Sequence, residues 1–576
     1  MTSAKEVLHR LTPNTIVALS LTVWWLLNLV MAGGVELAND EAYYWWWATG
    51  SGLDWGYYDH PPAVALLIWL TQRIPGEFGV RLATTLLQPA YLFILWRLWI
   101  SYGTCANRRS ALVFSALCFS LPLLQLYGLL ALPDAPLLFS STLFLVLLNR
   151  LHRKPSTLNA ALVGLSTALV GYSKYQGLIV VATGFALYVA NGKRHAVRYA
   201  AIWLLSALTL YSPHLVWLYR HDFAPLRYHL VERSSSGYRF SFTLEYILNL
   251  VAVFNPLLVW FIVKGIFVKT REGNAANTFL QRLMSWTLAV YGIFFFLASF
   301  KGRTQPQWNL VAAIPAVWLV MNAYSGGASL RQRKVLHTVL CLSVAAMLCF
   351  RIVVLLNPFH LNGELWNNRA GCKAIAEVAQ NRPVVVQHNY TLPCKYIFYT
   401  HREACCIPVY FERNSQWQYT AADSSFAGRS VLVVVPDWTL SNVIHRQGAS
   451  DIHYVEIERY LPLSRVKIKL LDAKNTGQTL QTTLQVTNPY PYPLIPTAEN
   501  NLAFRLSSMI DPYSERSCQA PLHDTVEPFS TSEVTCTFQL GEIAETLYKR
   551  PLRFCIESHG LIGSINSTPT TISPQE

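Results

Sequence analysis

Long apolar runs recur along the first 357 residues of this chain. Each is about as long as a bilayer crossing requires, roughly 20 residues. Because lipid cannot satisfy backbone polar groups, such runs fold as helices. The eleven candidate spans are 15–33, 79–100, 110–128, 133–150, 157–172, 175–191, 198–219, 246–268, 280–299, 306–324 and 335–357. The sequence therefore predicts an α-helical polytopic membrane protein with about eleven transmembrane helices.

The composition agrees with this prediction. Hydrophobic residues make up 52% of the 576 residues and charged residues only 14%, unlike an ordinary soluble protein. The net charge of +14 would suit a nucleic-acid-binding protein. However, most basic residues of the first half lie in short loops between apolar runs, which is typical of membrane topology. We therefore predict membrane lipids as partners and no nucleic acid.

Charge also predicts the orientation of the spans. With the N-terminus in the cytoplasm, the cytoplasmic span ends and loops hold more Lys and Arg than the outer ones, as the positive-inside rule requires. The first apolar run is long and is followed by further spans, so we interpret it as a span rather than a cleaved signal peptide. An odd number of spans then places residues 358–576 outside.

The pattern changes after residue 358, which predicts three domains. Residues 1–357 form the membrane domain, 358–462 a small α/β subdomain and 463–576 a β-sandwich. The outer region holds seven cysteines, and an oxidising location makes disulfides plausible. Cys518 with Cys536 is one reasonable pair, and Cys372 with Cys394, Cys405 or Cys406 another. We predict no metal site, because no second cysteine pair or histidine spacing supports one.

The most informative polar motif follows the first apolar run. Asp40 and Glu41 lie at the mouth of a membrane segment, where carboxylates are costly unless they have a function. Adjacent residues diverge by about 100° on a helix, so we expect one to act as a base and the other to orient it. A carboxylate base takes the proton of a hydroxyl nucleophile. The alternative is that Asp40 caps a helix beginning at Glu41.

Two further polar motifs lie on the same predicted face. Asp59 and His60 precede two prolines that restrict the backbone. His60 either binds a phosphate oxygen or orients Asp59, unless the segment is a simple interfacial turn. Asp134 begins a span, where it either caps the helix or helps to hold a cation or an amino sugar.

Basic residues on this face form a predicted rim for a phosphate leaving group, on which negative charge develops. Lys174 lies alone between two spans, where simple snorkelling to the interface is the alternative. Gln307 begins the tenth span and is placed to hydrogen-bond a sugar. The predicted phosphate-binding residues are His60, Lys174, Arg233, Arg239, Lys301 and Arg303.

Several of these segments resemble the GT-C integral-membrane glycosyltransferases. The closest branch includes protein O-mannosyltransferases and bacterial lipid A aminoarabinose transferases, and the resemblance covers roughly residues 10–325. The motifs are Asp40-Glu41-Ala42-Tyr43-Tyr44, Tyr58-Asp59-His60-Pro61-Pro62, Leu132-Pro133-Asp134-Ala135-Pro136, Ser173-Lys174-Tyr175 and Lys301 to Trp308.

The resemblance implies a polyprenyl-phosphate sugar donor, a periplasmic active site in the bacterial inner membrane, and inversion at the anomeric carbon. It implies that Asp40 is the catalytic base and Glu41 its neighbour in the motif. The candidate substrate-binding residues are Tyr43, Tyr58, Asp59, Asp134, Tyr175 and Gln307. The aminoarabinose branch typically has a lysine at the position of His60, which argues against carrying over that sugar specificity.

The acceptor is predicted to be a hydroxyl or phosphate of an envelope lipid or glycan, or of a protein. A leaving polyprenyl phosphate is already charged, so no strong general acid is required. No particular cofactor is predicted, and a divalent cation stays an open alternative that the sequence does not indicate. The alternative function is a flippase or transporter of lipid-linked sugars, which predicts polar groups deep in several spans. Here the charges gather at one face, which favours surface chemistry.

Overall fold

The computed structural model describes residues 11–102, 106–191, 195–230, 238–268, 275–437, 439–508, 516–545, 547–548 and 550–572. The chain divides into two compact units, Met1–Leu361 and Asn362–Glu576. We call them the membrane unit and the C-terminal unit. The division lies close to the predicted end of the membrane domain at residue 357.

The membrane unit is built from apolar helices. Seven helices in the described residues are long and apolar enough to span a bilayer: Pro13–Gly34, Gly76–Ser101, Asp134–Arg153, Ala196–Arg220, Asn277–Ala298, Pro306–Gly326 and Leu330–Leu356. Phe240–Val251 and Pro256–Phe267 form a bent pair, with an angle of 72° between them, that makes an eighth span if counted as one. Thr157–Ser173 and Tyr175–Ala190 are shorter apolar helices. These elements confirm a polytopic helical membrane fold.

Prolines explain where the predicted spans and the observed helices differ. The predicted span 110–128 is divided into Arg108–Phe119 and Pro122–Tyr127, and the predicted span 246–268 bends before Pro256. Proline lacks the N–H that would continue an α-helix and is favoured at a helix start instead. The count of eleven spans therefore stays a prediction.

The loop after the first span folds into short helices. Asn39–Trp46 is α-helical, a π-helical turn follows at Trp47–Ser51, and a second α-helix runs from Ala63 to Thr71. The first of these helices starts after Ala38. Asp40 therefore lies inside its first turn, and the alternative that Asp40 caps a helix beginning at Glu41 is wrong.

Polar side chains cross-link the spans inside the membrane unit. Arg351, in the last long helix, is buried and donates to Asn28 Oδ1 at 2.8 Å and Gln125 Oε1 at 3.0 Å. Its guanidinium also lies 4.6 Å from the centre of the Trp24 ring. Amide oxygens and an aromatic face both stabilise a buried cation. These contacts join the last long helix to the first.

The C-terminal unit begins with a mixed five-stranded sheet of order β2-β1-β3-β5-β4. The strands are β1 (Val384–Gln387), β2 (Ala404–Ile407), β3 (Val431–Val435), β4 (Asn442–Ile444) and β5 (Ile452–Ile457). The helices Asn368–Ala379 and Leu392–Thr400 belong to the same region. Strand β1 pairs in parallel with β2 and β3, and all its residues are buried, as expected for a central parallel strand.

Two three-stranded antiparallel sheets, β10-β7-β6 and β11-β8-β9, complete the C-terminal unit. Their inward side chains, including Leu484, Phe504, Phe538 and Phe554, share one hydrophobic core. This is the β-rich arrangement that the alternating pattern predicts. The strands are β6 (Lys467–Asn475), β7 (Thr479–Thr487), β8 (Ala503–Ser508), β9 (Arg516–Pro521), β10 (Thr531–Gln539) and β11 (Leu552–Glu557).

The proposed disulfides are absent from the described residues. Cys518 lies on β9 and Cys536 on β10, in different sheets, and both are free thiols. Cys372, Cys394, Cys405 and Cys406 are buried and form no disulfide with one another. Buried cysteines pack as small hydrophobic residues, which accounts for them here without any bridge.

A buried aspartate makes the C-terminal unit sensitive to pH. Asp423 accepts a hydrogen bond from Ser464 Oγ and lies 3.5 Å from Tyr490 Oη, but burial raises the pKa of its carboxyl group above the usual value. A folded-state pKa above the unfolded value gives stability that is complete at low pH and lost as pH rises through the folded pKa. We therefore expect Asp423→Asn to raise the melting temperature relative to wild type at pH 7, and the advantage to vanish near pH 3.

Differential scanning fluorimetry of the full-length protein in detergent, at pH 3 to 8, measures this difference. Asp524→Asn, at an exposed aspartate of the same unit, controls for the loss of one carboxylate. An Asp423→Asn advantage that stays constant across the pH range would contradict the assignment.

Candidate active site

Glu41 is fully buried and holds a fully buried arginine. Its Oε1 accepts from Arg81 Nε at 2.8 Å, and its Oε2 accepts from Arg81 Nη2 at 2.5 Å. Backbone N–H groups supply two more bonds, from Ala131 to Oε1 at 2.8 Å and from Ala38 to Oε2 at 3.0 Å. A carboxylate has about four lone-pair sites, so these four bonds leave Glu41 no site for a substrate proton.

Arg81 extends this network to the end of the first span. Its Nη1 donates to the carbonyls of Ala32 at 3.0 Å and Val35 at 2.7 Å, and its Nη2 to that of Glu36 at 2.8 Å. The ion pair thus ties together the end of one span, the start of another and the segment before Asp134. Asp40, next to Glu41, takes its position from this network.

Aromatic packing fixes the rest of the segment between the helices Pro13–Gly34 and Gly76–Ser101. We call this segment the first outer loop, after its predicted side of the membrane. Tyr43, Tyr44, Trp47 and Tyr57 are buried together, and the Trp47 and Tyr57 rings stack with centres 4.5 Å apart. Burial raises the pKa of Tyr57 to about 12, so its hydroxyl stays protonated and donates to the Gly52 carbonyl at 3.0 Å. The loop is therefore a packed structure rather than a flexible connection.

His214 joins this loop to a neighbouring segment. Its Nδ1 lies 2.6 Å from the carbonyl oxygen of Trp55, and its Nε2 lies 3.1 Å from Tyr175 Oη. A carbonyl accepts only, so Nδ1 carries the proton and Nε2 accepts from the tyrosine. In the same region Trp217 Nε1 donates to Asp54 Oδ2 at 2.8 Å. The span Ala196–Arg220 thus braces both the first outer loop and Tyr175.

A cavity of about 540 Å³ opens beside these residues; we call it the basic cavity. Its polar lining includes His60, Lys174, Lys301 and Arg303, and none of the described residues that line it is a carboxylate. Such a pocket suits an anion. The apolar part of its lining is Ile179, Phe294, Phe295, Leu297, Ala298 and Trp308. A ligand with a phosphate and a hydrocarbon chain matches both parts.

Lys174 is buried and paired with Asp134. Its Nζ lies 3.0 Å from Oδ1 and 2.9 Å from Oδ2 of Asp134, and both side chains are less than a tenth exposed. An ammonium group has three N–H donors, and these contacts account for two. Lys174 is therefore not a snorkelling lysine, and Asp134 has a cation of its own chain as its partner.

Helical spacing relates Asp40 to the basic cavity through Tyr44. Tyr44 is four residues later, so the two side chains share one helical face. The Tyr44 ring lies 6.0 Å from the ring of His60, which lines the cavity. Asp40 is exposed, about one helical turn from that contact. An exposed carboxylate on the helix that reaches His60 through Tyr44 is a candidate for the base.

A second cavity, of about 550 Å³, shares Arg303 with the first. We call it the amide cavity, because Asn249, Gln305 and Gln307 contribute to its lining. Phe242, Leu248 and Pro306 supply its apolar part, and Glu245 and Thr304 complete it. Arg303 Nε donates to Glu245 Oε2 at 2.7 Å, in a pair that is largely exposed on the arginine side.

The remaining predicted site residues lie outside the two cavities. Tyr43, Tyr58 and Asp59 are buried in the first outer loop, and Arg239 is exposed at the start of the helix Phe240–Phe254. Arg233 lies outside the described residues. In the part of the chain that the structure describes, no group of three or more His, Cys, Asp or Glu side chains is arranged to hold a metal ion.

Several structural partners were not predicted from the sequence. Arg81 was recognised only as an outer charge, although an arginine inside an apolar run is a signal of burial with a partner. His214 and Glu245 carried no such signal. Their partners are 39 and 58 residues away in the chain, a separation that no local pattern reveals.

Comparison with known proteins shows which families and structures this chain is similar to. A family model described as dolichyl-phosphate-mannose-protein mannosyltransferase matches residues 59–217. The lipid A galacturonosyltransferase RgtD of Rhizobium johnstonii is 24% identical over 325 residues, which are 55% of this chain and 67% of RgtD. The crystal structures of ArnT from Cupriavidus metallidurans, apo and bound to undecaprenyl phosphate, match with TM-scores of 0.55 and 0.56 at 12% identity, over 76% of this chain and 97% of ArnT.

The chain has the fold of ArnT, and the family match and RgtD support a likeness to GT-C integral-membrane glycosyltransferases. This confirms the resemblance that the motifs of the first outer loop predicted. The family match begins at Asp59, so it includes His60, Asp134 and Lys174 but not Asp40 or Glu41. The basic cavity and the first outer loop are the candidate active site of this chain.

Proposed function

We propose that this GT-C protein transfers a sugar from a polyprenyl-phosphate donor to a hydroxyl acceptor on the outer face of the membrane. The observation that carries the proposal is the basic cavity, in which Lys174, His60, Lys301 and Arg303 adjoin an apolar wall. Phosphate requires such cations, and a prenyl chain requires such a wall. One of the two ArnT crystal structures holds undecaprenyl phosphate, which supports this donor class.

The proposed reaction is a single displacement. The acceptor oxygen attacks the anomeric carbon and forms the new C–O bond, while the bond from that carbon to the phosphate oxygen breaks. Asp40 takes the acceptor proton, and polyprenyl phosphate leaves with the bonding electrons. The attack comes from the side opposite the leaving group, so the configuration inverts. The cations of the basic cavity stabilise the charge that develops on the phosphate.

The acceptor that we propose is the sugar headgroup of an envelope lipid. RgtD is named as a lipid A galacturonosyltransferase, which favours a lipid over a protein acceptor. The sugar that is transferred, a hexose or a pentose, is the one carried by the donor that the protein uses. We also propose a location in the inner membrane with the active site in the periplasm, which the distribution of Lys and Arg among the predicted loops supports.

Lys174→Ala tests this function. We expect the KM for a polyprenyl-phosphate sugar to rise at least about tenfold, because a charge-assisted bond to phosphate contributes about 1.5–3 kcal/mol. The measurement is transfer from radiolabelled polyprenyl-phosphate sugars to lipid A by the purified protein. Asp134→Asn should give a smaller loss, since it keeps the lysine.

Removing Lys174 also leaves Asp134 buried without its cation, so folding needs its own control. The double variant Lys174→Met with Asp134→Leu removes both charges. If it folds and retains the wild-type KM for the donor, the phosphate does not bind at Lys174. If wild-type protein transfers no sugar from any polyprenyl-phosphate donor, the proposed function is wrong.

A further inference from the structure

The amide cavity has a lining that differs in chemistry from that of the basic cavity. Six of its nine lining residues are polar: Glu245, Asn249, Arg303, Thr304, Gln305 and Gln307. One carboxylate and one guanidinium are already paired within it, so the lining is close to neutral. An anionic phosphate would face Glu245, and a hydrocarbon chain would leave many polar groups unsatisfied. A neutral, polyhydroxylated ligand avoids both costs.

A buried hydroxyl points to a missing ligand in this cavity. The Thr304 side chain is 2% exposed, and its Oγ1 has no hydrogen-bond partner among the described residues. Buried polar atoms are nearly always bonded, and an orphan costs about 1–3 kcal/mol. The Thr304 backbone is fixed, since its carbonyl accepts from Asn249 Nδ2 at 3.0 Å. Thr304 lines the amide cavity, so a hydroxyl group of a ligand bound there is the partner available to Oγ1 once the side chain turns toward it.

The neighbouring amides are arranged to bind further hydroxyl groups. Gln307 Nε2 donates to Gln305 Oε1 at 2.9 Å, which orients both side chains and leaves Gln305 Nε2 as a donor and Gln307 Oε1 as an acceptor. Paired donors and acceptors suit adjacent hydroxyls of a sugar ring. The Phe242 ring and Pro306 offer apolar surface for the C–H face of the ring. A volume of about 550 Å³ is within the range of small-ligand sites.

We infer that the amide cavity binds a sugar ring of the glycolipid acceptor, beside the ring that receives the new sugar. This inference rests on the proposed function and deepens it. Arg303 lines both cavities. The headgroup of the acceptor and the phosphate of the donor would therefore both lie next to the Arg303 side chain. Exposed ion pairs contribute about 1 kcal/mol or less, so Glu245 does not lock Arg303 away from either ligand.

Direct binding of lipid A, a glycolipid with a glucosamine disaccharide headgroup, tests the inference. The full-length protein in detergent is titrated with radiolabelled lipid A and, separately, with its deacylated disaccharide. We expect Thr304→Val to weaken both about fivefold, the effect of one hydrogen bond of about 1 kcal/mol. Thr304→Ser, which keeps the hydroxyl, should bind within about twofold of wild type. Leu248→Trp should fill the cavity and abolish binding.

Polyprenyl phosphate binding to the same variants is the control, and it should not change, because Thr304 and Leu248 do not line the basic cavity. Wild-type affinity for lipid A in both Thr304→Val and Leu248→Trp would overturn the inference, as would wild-type protein that binds no lipid A. Weakened binding of lipid A but not of its free disaccharide would show that the acyl chains are recognised instead, and would also overturn it. If these variants weaken lipid A binding but no sugar is transferred from any donor, the cavity assignment stands and the proposed function fails.

Discussion

Asp40→Asn should abolish sugar transfer, with kcat lowered about a thousandfold, because a positioned general base contributes about 10²–10⁴-fold. Asparagine keeps the size of the side chain but cannot take the acceptor proton. Asp40 is exposed, and the substitution leaves both partners of the Glu41–Arg81 pair in place, so the variant should fold. Initial rates with a radiolabelled polyprenyl-phosphate sugar and lipid A measure the loss.

Two comparisons make this result specific. Polyprenyl phosphate should bind Asp40→Asn as it binds wild type, since Asp40 does not line the basic cavity. Glu36→Gln removes a carboxylate from the same loop but keeps the backbone carbonyl that accepts from Arg81, and it should keep most of the activity. An Asp40→Asn protein that retains near-wild-type kcat would show that another group takes the proton.

Glu41→Ala should destabilise the membrane unit by about 3–5 kcal/mol, the cost of breaking a buried ion pair. The substitution leaves the Arg81 guanidinium without a counter-charge and removes the bonds to the N–H groups of Ala38 and Ala131. We expect poor yield of folded protein and a lower melting temperature in detergent. Size-exclusion chromatography and scanning fluorimetry report both.

A double variant that lacks both charges distinguishes an effect on stability from an effect on activity at this site. Glu41→Leu with Arg81→Met removes both charges, and apolar replacement of a buried pair is often neutral or stabilising. We expect this double variant to fold but to lose activity, because the hydrogen bonds of Glu41 that position the helix of Asp40 are then lost. Glu245→Ala breaks the exposed pair with Arg303 and should barely change the melting temperature. A stable, fully active Glu41→Ala would contradict the positioning role.

Much of the candidate site was predictable, because its residues follow local rules. His60, Lys174, Tyr175, Lys301 and Arg303 were all selected as polar groups at one end of apolar runs, and all five line the basic cavity. In the C-terminal unit, short apolar runs predicted β1 and β3, and alternation of apolar and polar residues predicted β6, β7, β8, β10 and β11. The strands β2, β4, β5 and β9 were missed. The disulfides were predicted wrongly, because an oxidising compartment permits a bridge but does not bring two cysteines together.

The roles of paired residues were not predictable in the same way. Lys174 and Asp134 were assigned to different ligands, yet they bind each other across 40 residues of sequence. Glu41 was left open between chemistry and support, and its four hydrogen bonds now favour support. Such pairings depend on which loops meet at the ends of the helices.

The sequence by itself determined that the chain is a polytopic helical membrane protein with charged motifs at one face, because lipid admits only apolar helices and keeps charges at their ends. Only the tertiary structure decided which of those charged side chains pair with each other and which stay exposed. Glu41 forms an ion pair with Arg81, and Asp134 forms one with Lys174, while Asp40 stays exposed. A buried charge without a partner is costly, so burial requires each of these side chains to have an ion-pair partner. Burial depends on how the helices pack, and no single segment of the sequence determines it.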